Sequence, residues 1–245
     1  VEVYMSTKRE IASLHEVVKN YGEGKVITKA LRGISLKILE GDFSVMMGPS
    51  GCGKSTLLNI IGGLDRATSG DVKFNDQDLN TLSNKALSII RRQHIGFVFQ
   101  NYNLLPVLNA YENAEYVLML QGVTPVKRRE KVMHLFQEMG LDGLENRYPR
   151  ELSGGQQQRV AIARAVATEP QLVLADEITA NVDSETAQSL LELMAALNKN
   201  NSTTFLFSTH DPAVIKFAKN IIILKDGMIH SEKASIEETE QFSHR

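Results

Sequence analysis

The sequence predicts an α/β fold: a mostly parallel sheet, an antiparallel β segment and a helical insertion. Three observations carry that expectation. "FSVMM" is an apolar run followed by the glycine-rich "GPSGCGKST" and then "TLLNII", which reads as buried strand, tight loop and helix. "QLVLAD", "DSETAQSLLELMAALN" and "STTFLFSTHD" repeat the strand and helix alternation further along, and such alternation implies parallel strands covered on both faces. Between these blocks, from about Asn101 to Pro149, the composition turns helical.

In chain order, residues 1–10 are polar and unpatterned, and are expected to be loose. From Ile11 to about Met47 strand-like runs alternate with "YGEG", "LRG" and "EGD", read as turns. After the helix that opens at Lys54, "TSGDVKFNDQDL" reads as a turn with a short strand pair, and "HIGFVFQ" as an apolar strand ending at Gln100. "NAYENAEYVLMLQG" and "VKRREKVMHLFQEMG" are helical; Val132, Leu135, Phe136 and Met139 recur at helical spacing and form a core stripe. "IIIL" at 221–224 is a buried strand, and the tail at 233–245 is polar and acidic. The organisation expected is one cassette over residues 11–232, with a helical subdomain at about 101–159 inserted in its core.

Bulk properties narrow the classes. A chain of 245 residues, 42% hydrophobic and 23% charged, can bury a sizeable core. The formal net charge of −2 points to no nucleic acid partner. Lys127, Arg128, Arg129 and Lys131 cluster on a helical segment and read as a solvated face. One cysteine makes no intrachain disulfide, in keeping with a reducing cytosol. "VEVYMSTKRE" lacks the apolar stretch of a secretory signal, and no window reaches the roughly 18 apolar residues of a spanning helix. If the protein serves a membrane, other chains do the spanning.

The chemistry concentrates at Gly48–Thr56. The spacing G-x-x-x-x-G-K-S matches the phosphate-binding P-loop, and the flanking strand and helix supply the context that motif requires. Backbone N–H groups of Gly48, Pro49's neighbours Ser50 and Gly51, Cys52, Gly53 and the helix start at Lys54, Ser55 and Thr56 would converge on phosphate oxygens. Lys54 would reach the β- and γ-phosphates, and Ser55 would share the remaining charge with Mg²⁺. "LVLADE" ends a buried strand in Asp176 and Glu177. A carboxylate there is costly unless it faces a cation, so Asp176 is the metal-side residue and Glu177 the candidate general base. In "LSGGQQQRVAIARA", Ser153 can cap the next helix while Gly154 and Gly155 leave its N-terminal amides uncovered, a second anion site without a lysine.

Together these strings resemble the ATP-binding cassette (ABC) ATPases, over essentially residues 11–230. The resemblance implies a P-loop NTPase (RecA-like) core, ATP and Mg²⁺ as cofactors, and ATP hydrolysis that drives transport. It further implies a head-to-tail homodimer in the ATP-bound state, with Ser153, Gly154, Gly155 and Gln156 of one copy facing the γ-phosphate held by the other. By the same resemblance Tyr21 matches the aromatic that stacks on adenine, and Gln100 the glutamine that touches Mg²⁺ or the attacking water and senses the membrane partner. Asp183 matches the aspartate of the loop crossing the dimer interface, and His210 the histidine that contacts the γ-phosphate. "GGLDRATSGDV", "FVFQNYNLLPVLNAYEN" and "DEITANVDS" look most like the lipoprotein-releasing and macrolide-efflux branch, which implies transmembrane permease subunits on other chains and a peripheral place on the cytoplasmic side of the inner membrane. The segment "NYNLLPVL", with Leu104, Leu105 and Pro106, is expected to help form a groove for a short helix of that partner.

Three positions depart from the pattern: Ile178 stands where proline is usual, Val182 where leucine is usual, and Cys52 where serine is frequent. None removes a charge or proton carrier, although Ile178 questions the stiffness of the loop toward Asp183. The thiol of Cys52, among P-loop amides and beside Lys54, is expected to be reactive. Competing classes fit less of the sequence. A soluble cassette ATPase acting on DNA or ribosomes would carry a coiled-coil insertion, zinc-binding cysteines or a second cassette. A P-loop kinase or GTPase leaves "LSGGQ" unexplained, and a binding-only regulatory cassette leaves Glu177 and His210 unexplained.

Overall fold

The computed structural model describes residues 8–22, 27–179, 182, 184–209 and 211–234. Two sheets share the molecule. A six-stranded sheet runs in the order β10-β9-β3-β8-β7-β6, from β3 (Phe43–Met47), β6 (Ile95–Val98), β7 (Leu172–Asp176), β8 (Thr204–Ser208), β9 (Asn220–Lys225) and β10 (Met228–Ala234). All its pairs are parallel except β9 with β10. A four-stranded antiparallel sheet, β2-β1-β4-β5, is built from β1 (Glu10–Tyr21), β2 (Thr28–Leu39), β4 (Ser69–Phe74) and β5 (Gln77–Asp78).

The alternation of β3 shows how the layers form. Phe43 and Val45 face a core shared with Val173, Ala175, Phe205, Phe207 and helix α6 (Ser184–Asn201). Met46 faces the opposite core, with Leu174, Leu206, helix α1 (Lys54–Ile61) and the antiparallel sheet. Each fully buried aliphatic or aromatic side chain contributes about 1.5–3 kcal/mol, so a central strand apolar on both faces is pinned from both sides.

Helices α3 (Ala110–Leu120), α4 (Pro125–Glu138) and α5 (Gly154–Val166) carry the helical segment; α5 continues past residue 159 as one helix. Val132 and Phe136 are fully buried and Met139 nearly so, so the stripe on α4 is core. Arg128, by contrast, is not on a solvated face: its Nε donates to Glu115 at 2.6 Å and its Nη1 to the Val123 carbonyl at 2.7 Å, tying α4 to α3. A local expectation is also corrected. "LRG" is no turn, because Gly33 lies inside β2 at φ +88°. Most of the expected loose start, residues 1–7, and the tail from residue 235 lie outside the described residues; Lys8 Nζ bridges Asp42 at 2.8 Å, and β10 runs to Ala234. Helix α2 (Asn84–His94), capped by Ser83, carries Leu87 as its one buried residue.

Candidate functional site

The C-terminal edge of the parallel strands gathers the chemistry. In open α/β sheets that edge is where ligands bind. The loop after β3 leads into α1, the end of β7 carries Asp176, and the chain after β6 carries Gln100. A cleft of about 610 Å³ opens there, lined by Gly48–Gly51, Gly53–Thr56, Gln100 and Glu177, with Thr28, Lys29 and Ala30 of β2 as its wall.

The P-loop takes its shape from close packing. Gly53 caps α1 at φ +108°, and a Cβ there would lie 2.7 Å from the Ala30 carbonyl oxygen. The Gly227 amide donates to the Cys52 carbonyl at 3.1 Å, and the Arg32 amide to the Gly227 carbonyl at 2.8 Å. The loop is thereby wedged between β2 and the β9–β10 turn. Among the described residues, the amides of Ser50, Gly51, Gly53, Lys54, Ser55 and Thr56 donate to no backbone carbonyl. They form a concave row of donors at a helix start, where the macrodipole adds positive potential.

Lys54 is 7% exposed. Its Nζ donates to the carbonyls of Gly48 at 2.8 Å and Pro49 at 3.3 Å, and lies 3.6 Å from Glu177 Oε1. A buried ammonium held by carbonyls and one loose carboxylate contact is poised for a stronger anion. Asp176 sits at the end of β7 and its Oδ1 is buried with no hydrogen-bond partner among the described residues. An orphaned carboxylate oxygen one residue before the cleft-lining Glu177 fits a hard divalent cation, which takes oxygen ligands. Ser208, in register with Asp176 across β7 and β8, likewise buries an unpartnered hydroxyl; the sequence offered no signal for it.

Glu177 has φ +49°, and its amide donates to the Ser208 carbonyl at 2.8 Å. A non-glycine residue in the left-handed region costs about 1–2 kcal/mol and is held only by its surroundings. Ile178 is 3% exposed and belongs to the core, so packing fixes this position where a proline ring would otherwise do so. Asp183 and His210 lie outside the described residues.

Cys52 requires a correction. It is 5% exposed and packed in the apolar core beneath the loop, and it does not line the cleft. Tyr21 lies at the cleft's rim: it pairs across the antiparallel sheet with Thr28, which lines the cleft. Its hydroxyl donates to Asp65 Oδ2 at 2.8 Å, and burial is the main cause raising its pKa above the ordinary phenol value.

The second anion-site candidate stands apart from the first. Ser153 Oγ accepts from the Gln156 amide at 3.3 Å, and Gln156 Oε1 accepts from the Ser153 amide at 2.9 Å, a closed capping box. Gly154 and Gly155 open α5 without side chains over their amides. Gly155 has a further reason to be glycine: a Cβ would lie 2.8 Å from Thr186 Cγ2 on α6. No residue of α5 lines the P-loop cleft.

A separate groove of about 350 Å³ is bounded by α2, β6, α3 and α5, with Leu64, Phe97, Phe99 and Leu120 as apolar walls and Arg91, Arg92 and Arg164 also lining it. Of "NYNLLPVL", only Asn103 lines it. Leu104 packs against the core, whereas Leu105 stays exposed, and neither Leu105 nor Pro106 lines this groove. The segment still shapes the groove indirectly. Arg164 donates to the carbonyls of Tyr102 at 2.8 Å and Asn103 at 2.6 Å, holding their left-handed turn.

Fold and site together define a P-loop nucleotide-binding protein with an acidic strand end beside the phosphate cradle. Residues 31–180 match the ABC transporter family, and the chain belongs to that family as an ATP-binding cassette ATPase. It is 43% identical over 236 residues to the macrolide export ATP-binding/permease protein MacB of Syntrophobacter fumaroxidans, covering 96% of this chain and 33% of that protein. It therefore spans about a third of the length of that relative. It is 44% identical over 224 residues to the ABC transporter ATP-binding protein MJ0796 of Methanocaldococcus jannaschii, covering 90% of this chain and 95% of that one. The dimeric structure of MJ0796 in a post-hydrolysis state bound to ADP and Pi superposes with TM-score 0.87 at 42% identity, covering 91% of this chain and 98% of that one.

Proposed function

We propose that the cassette works as a head-to-tail pair, each ATP gripped by the P-loop of one copy and by the α5 N-terminus of the other. One observation carries this reading: Lys54 and the free P-loop amides share one cleft, while the bare amides of Gly154 and Gly155 lie outside it. A single chain leaves that second donor set without an anion. The dimeric MJ0796 relative supports the pairing.

Within the closed site, Lys54 and the loop amides orient the triphosphate and neutralise charge that develops at the γ-phosphoryl group. Glu177, anchored by the Ser208 carbonyl, accepts a proton from the attacking water. Gln100, on the cleft wall, positions that water, and Tyr21 offers its ring to the base. Ser55, Gln100 and Asp176 would hold Mg²⁺, which when bound supplies compensation for phosphate charge. His210 and Asp183 take the γ-phosphate contact and the interface crossing on family resemblance. Proton transfer to a base is worth typically about 10²–10⁴-fold, so Glu177→Gln lowers turnover by that factor and keeps ATP binding. Size-exclusion chromatography of that variant with saturating MgATP tests the pairing: a trapped dimer is expected, and a strict monomer refutes it.

The partner we infer is a transmembrane permease of the macrolide-efflux or lipoprotein-release type, reached through the groove between β6 and α3. Its apolar walls and arginines suit a short amphipathic helix bearing an acidic residue. Family resemblance supports a peripheral place at the inner membrane's cytoplasmic face; among the described residues no helix is long and apolar enough to cross a membrane. Cysteines placed at Leu64 and Leu120 should cross-link to that permease; failure at both positions removes the docking site.

A further inference from the structure

Beside the cleft, three side chains form a closed clamp. Lys19 Nζ sits 4.7 Å from the centroid of the Tyr21 ring and donates to Asp65 Oδ1 at 2.7 Å and to the Arg66 carbonyl at 2.8 Å. The Tyr21 hydroxyl donates to the other oxygen, Asp65 Oδ2, at 2.8 Å. The Arg66 amide donates to Asp65 Oδ1 at 2.7 Å, which fixes the carboxylate to the backbone of the α1–β4 connection. Lys19 keeps only 12% side-chain exposure, whereas Tyr21 keeps 41%. An ammonium thus covers one face of the ring and a carboxylate tethers its tip, while much of the ring stays accessible beside Thr28 on the cleft wall.

We propose that Lys19 and Asp65 are positioning residues for nucleotide recognition, holding the Tyr21 ring as a preset platform on which the base stacks. This rests on the reading of Tyr21 given above. The clamp fixes both torsions of the tyrosine before the ligand arrives, so the ordering cost of stacking falls in the unliganded protein. The attraction of the ammonium for the ring face it covers adds to the hold on the ring, and the other face is left for the base. Neither Lys19 nor Asp65 lines the P-loop cleft, so their contribution belongs to the base alone.

The test compares affinities for ATP and for inorganic tripolyphosphate, each by competition with a fluorescent ATP analogue. Base stacking on an aromatic is worth about 5- to 150-fold in affinity, so Tyr21→Ala should weaken ATP about ten-fold and leave tripolyphosphate unchanged. Lys19→Met keeps the apolar stem and Asp65→Ala removes the tether; each should weaken ATP by about three- to five-fold without moving tripolyphosphate. Lys19→Arg should restore ATP affinity, and Asp65→Asn, which keeps an acceptor for the hydroxyl, should recover part of it. Long-range electrostatics would drive the lysine and aspartate variants in opposite directions, whereas the clamp drives both the same way. If Tyr21→Ala weakens ATP and neither clamp variant does, the clamp is overturned and the platform stands. If Tyr21→Ala has no effect, the platform itself is wrong and the clamp falls with it. Equal losses for ATP and tripolyphosphate would also overturn the proposal, because they would mark a structural role.

Discussion

Two glycines of the P-loop share a left-handed backbone but differ in their surroundings, and that contrast makes a quantitative test of how the loop is held. Gly51 has φ +78° with nothing within 4 Å of a built Cβ, whereas Gly53 has φ +108° with Ala30 O at 2.7 Å and Leu31 Cδ2 at 2.9 Å. Alanine at either site incurs about 1–2 kcal/mol for the left-handed conformation. At Gly53 the methyl must also displace β2, and overpacking of that kind costs roughly 1–3 kcal/mol more. Gly51→Ala is therefore expected to lose about 1–2 kcal/mol and Gly53→Ala about 2–5 kcal/mol. For a chain of this size each kcal/mol shifts Tm by about 2–4 °C, placing Gly53→Ala about 2–12 °C below Gly51→Ala. Thermal unfolding followed by circular dichroism without nucleotide measures the difference directly. Equal melting temperatures, or a lower value for Gly51→Ala, would show that the wedge against Ala30 does not hold the loop.

Asn113 is fully buried; its amide donates to the carbonyls of Leu105, Leu108 and Asn109, and its oxygen accepts from the Leu105 amide at 2.7 Å. Asn113→Ala leaves these groups unpaired, and a denaturant melt should show a loss of about 2–4 kcal/mol, with faster amide exchange over residues 105–109. Ile178→Pro removes no charge and should keep phosphate release within a few-fold of the parent rate; complete loss would show that this loop requires a flexible backbone at Ile178. Cys52, buried beneath the loop, should alkylate with iodoacetamide far more slowly in the native protein than in guanidinium, and equal rates would place its thiol at the surface. Burial pushes the Asp65 carboxyl up, but hydrogen bonds from Lys19, Tyr21 and the Arg66 amide outweigh it and hold its pKa below the ordinary value. A depressed carboxylate contributes stability above its unfolded pKa that is lost as pH falls through the folded value. Asp65→Asn should therefore flatten the acid side of the stability profile, and an unchanged profile would argue against the pairing.

The phosphate cradle was legible because its chemistry is local. Glycines at Gly51 and Gly53, a lysine at the helix start and a carboxylate at a strand end stand at fixed spacings in one stretch of chain each, and short apolar runs placed β3, β7 and β8 around them. The Ser153 cap was legible for the same reason, although the reciprocal bond from Gln156 three residues on came only from the structure. Groups that meet across long separations were not. Nothing in the order of residues brings Lys19 to Asp65, Arg164 to the carbonyls of Tyr102 and Asn103, or Ser208 beside Asp176; packing of separate strands and helices decides those contacts. Burial, too, is a tertiary property: Cys52 reads as a reactive loop thiol in sequence yet packs in the core, and Leu104 packs inward while the adjacent Asn103 lines the groove. Local chemistry thus determined what the cleft can bind, and the folded surface decided which distant side chains hold it in shape.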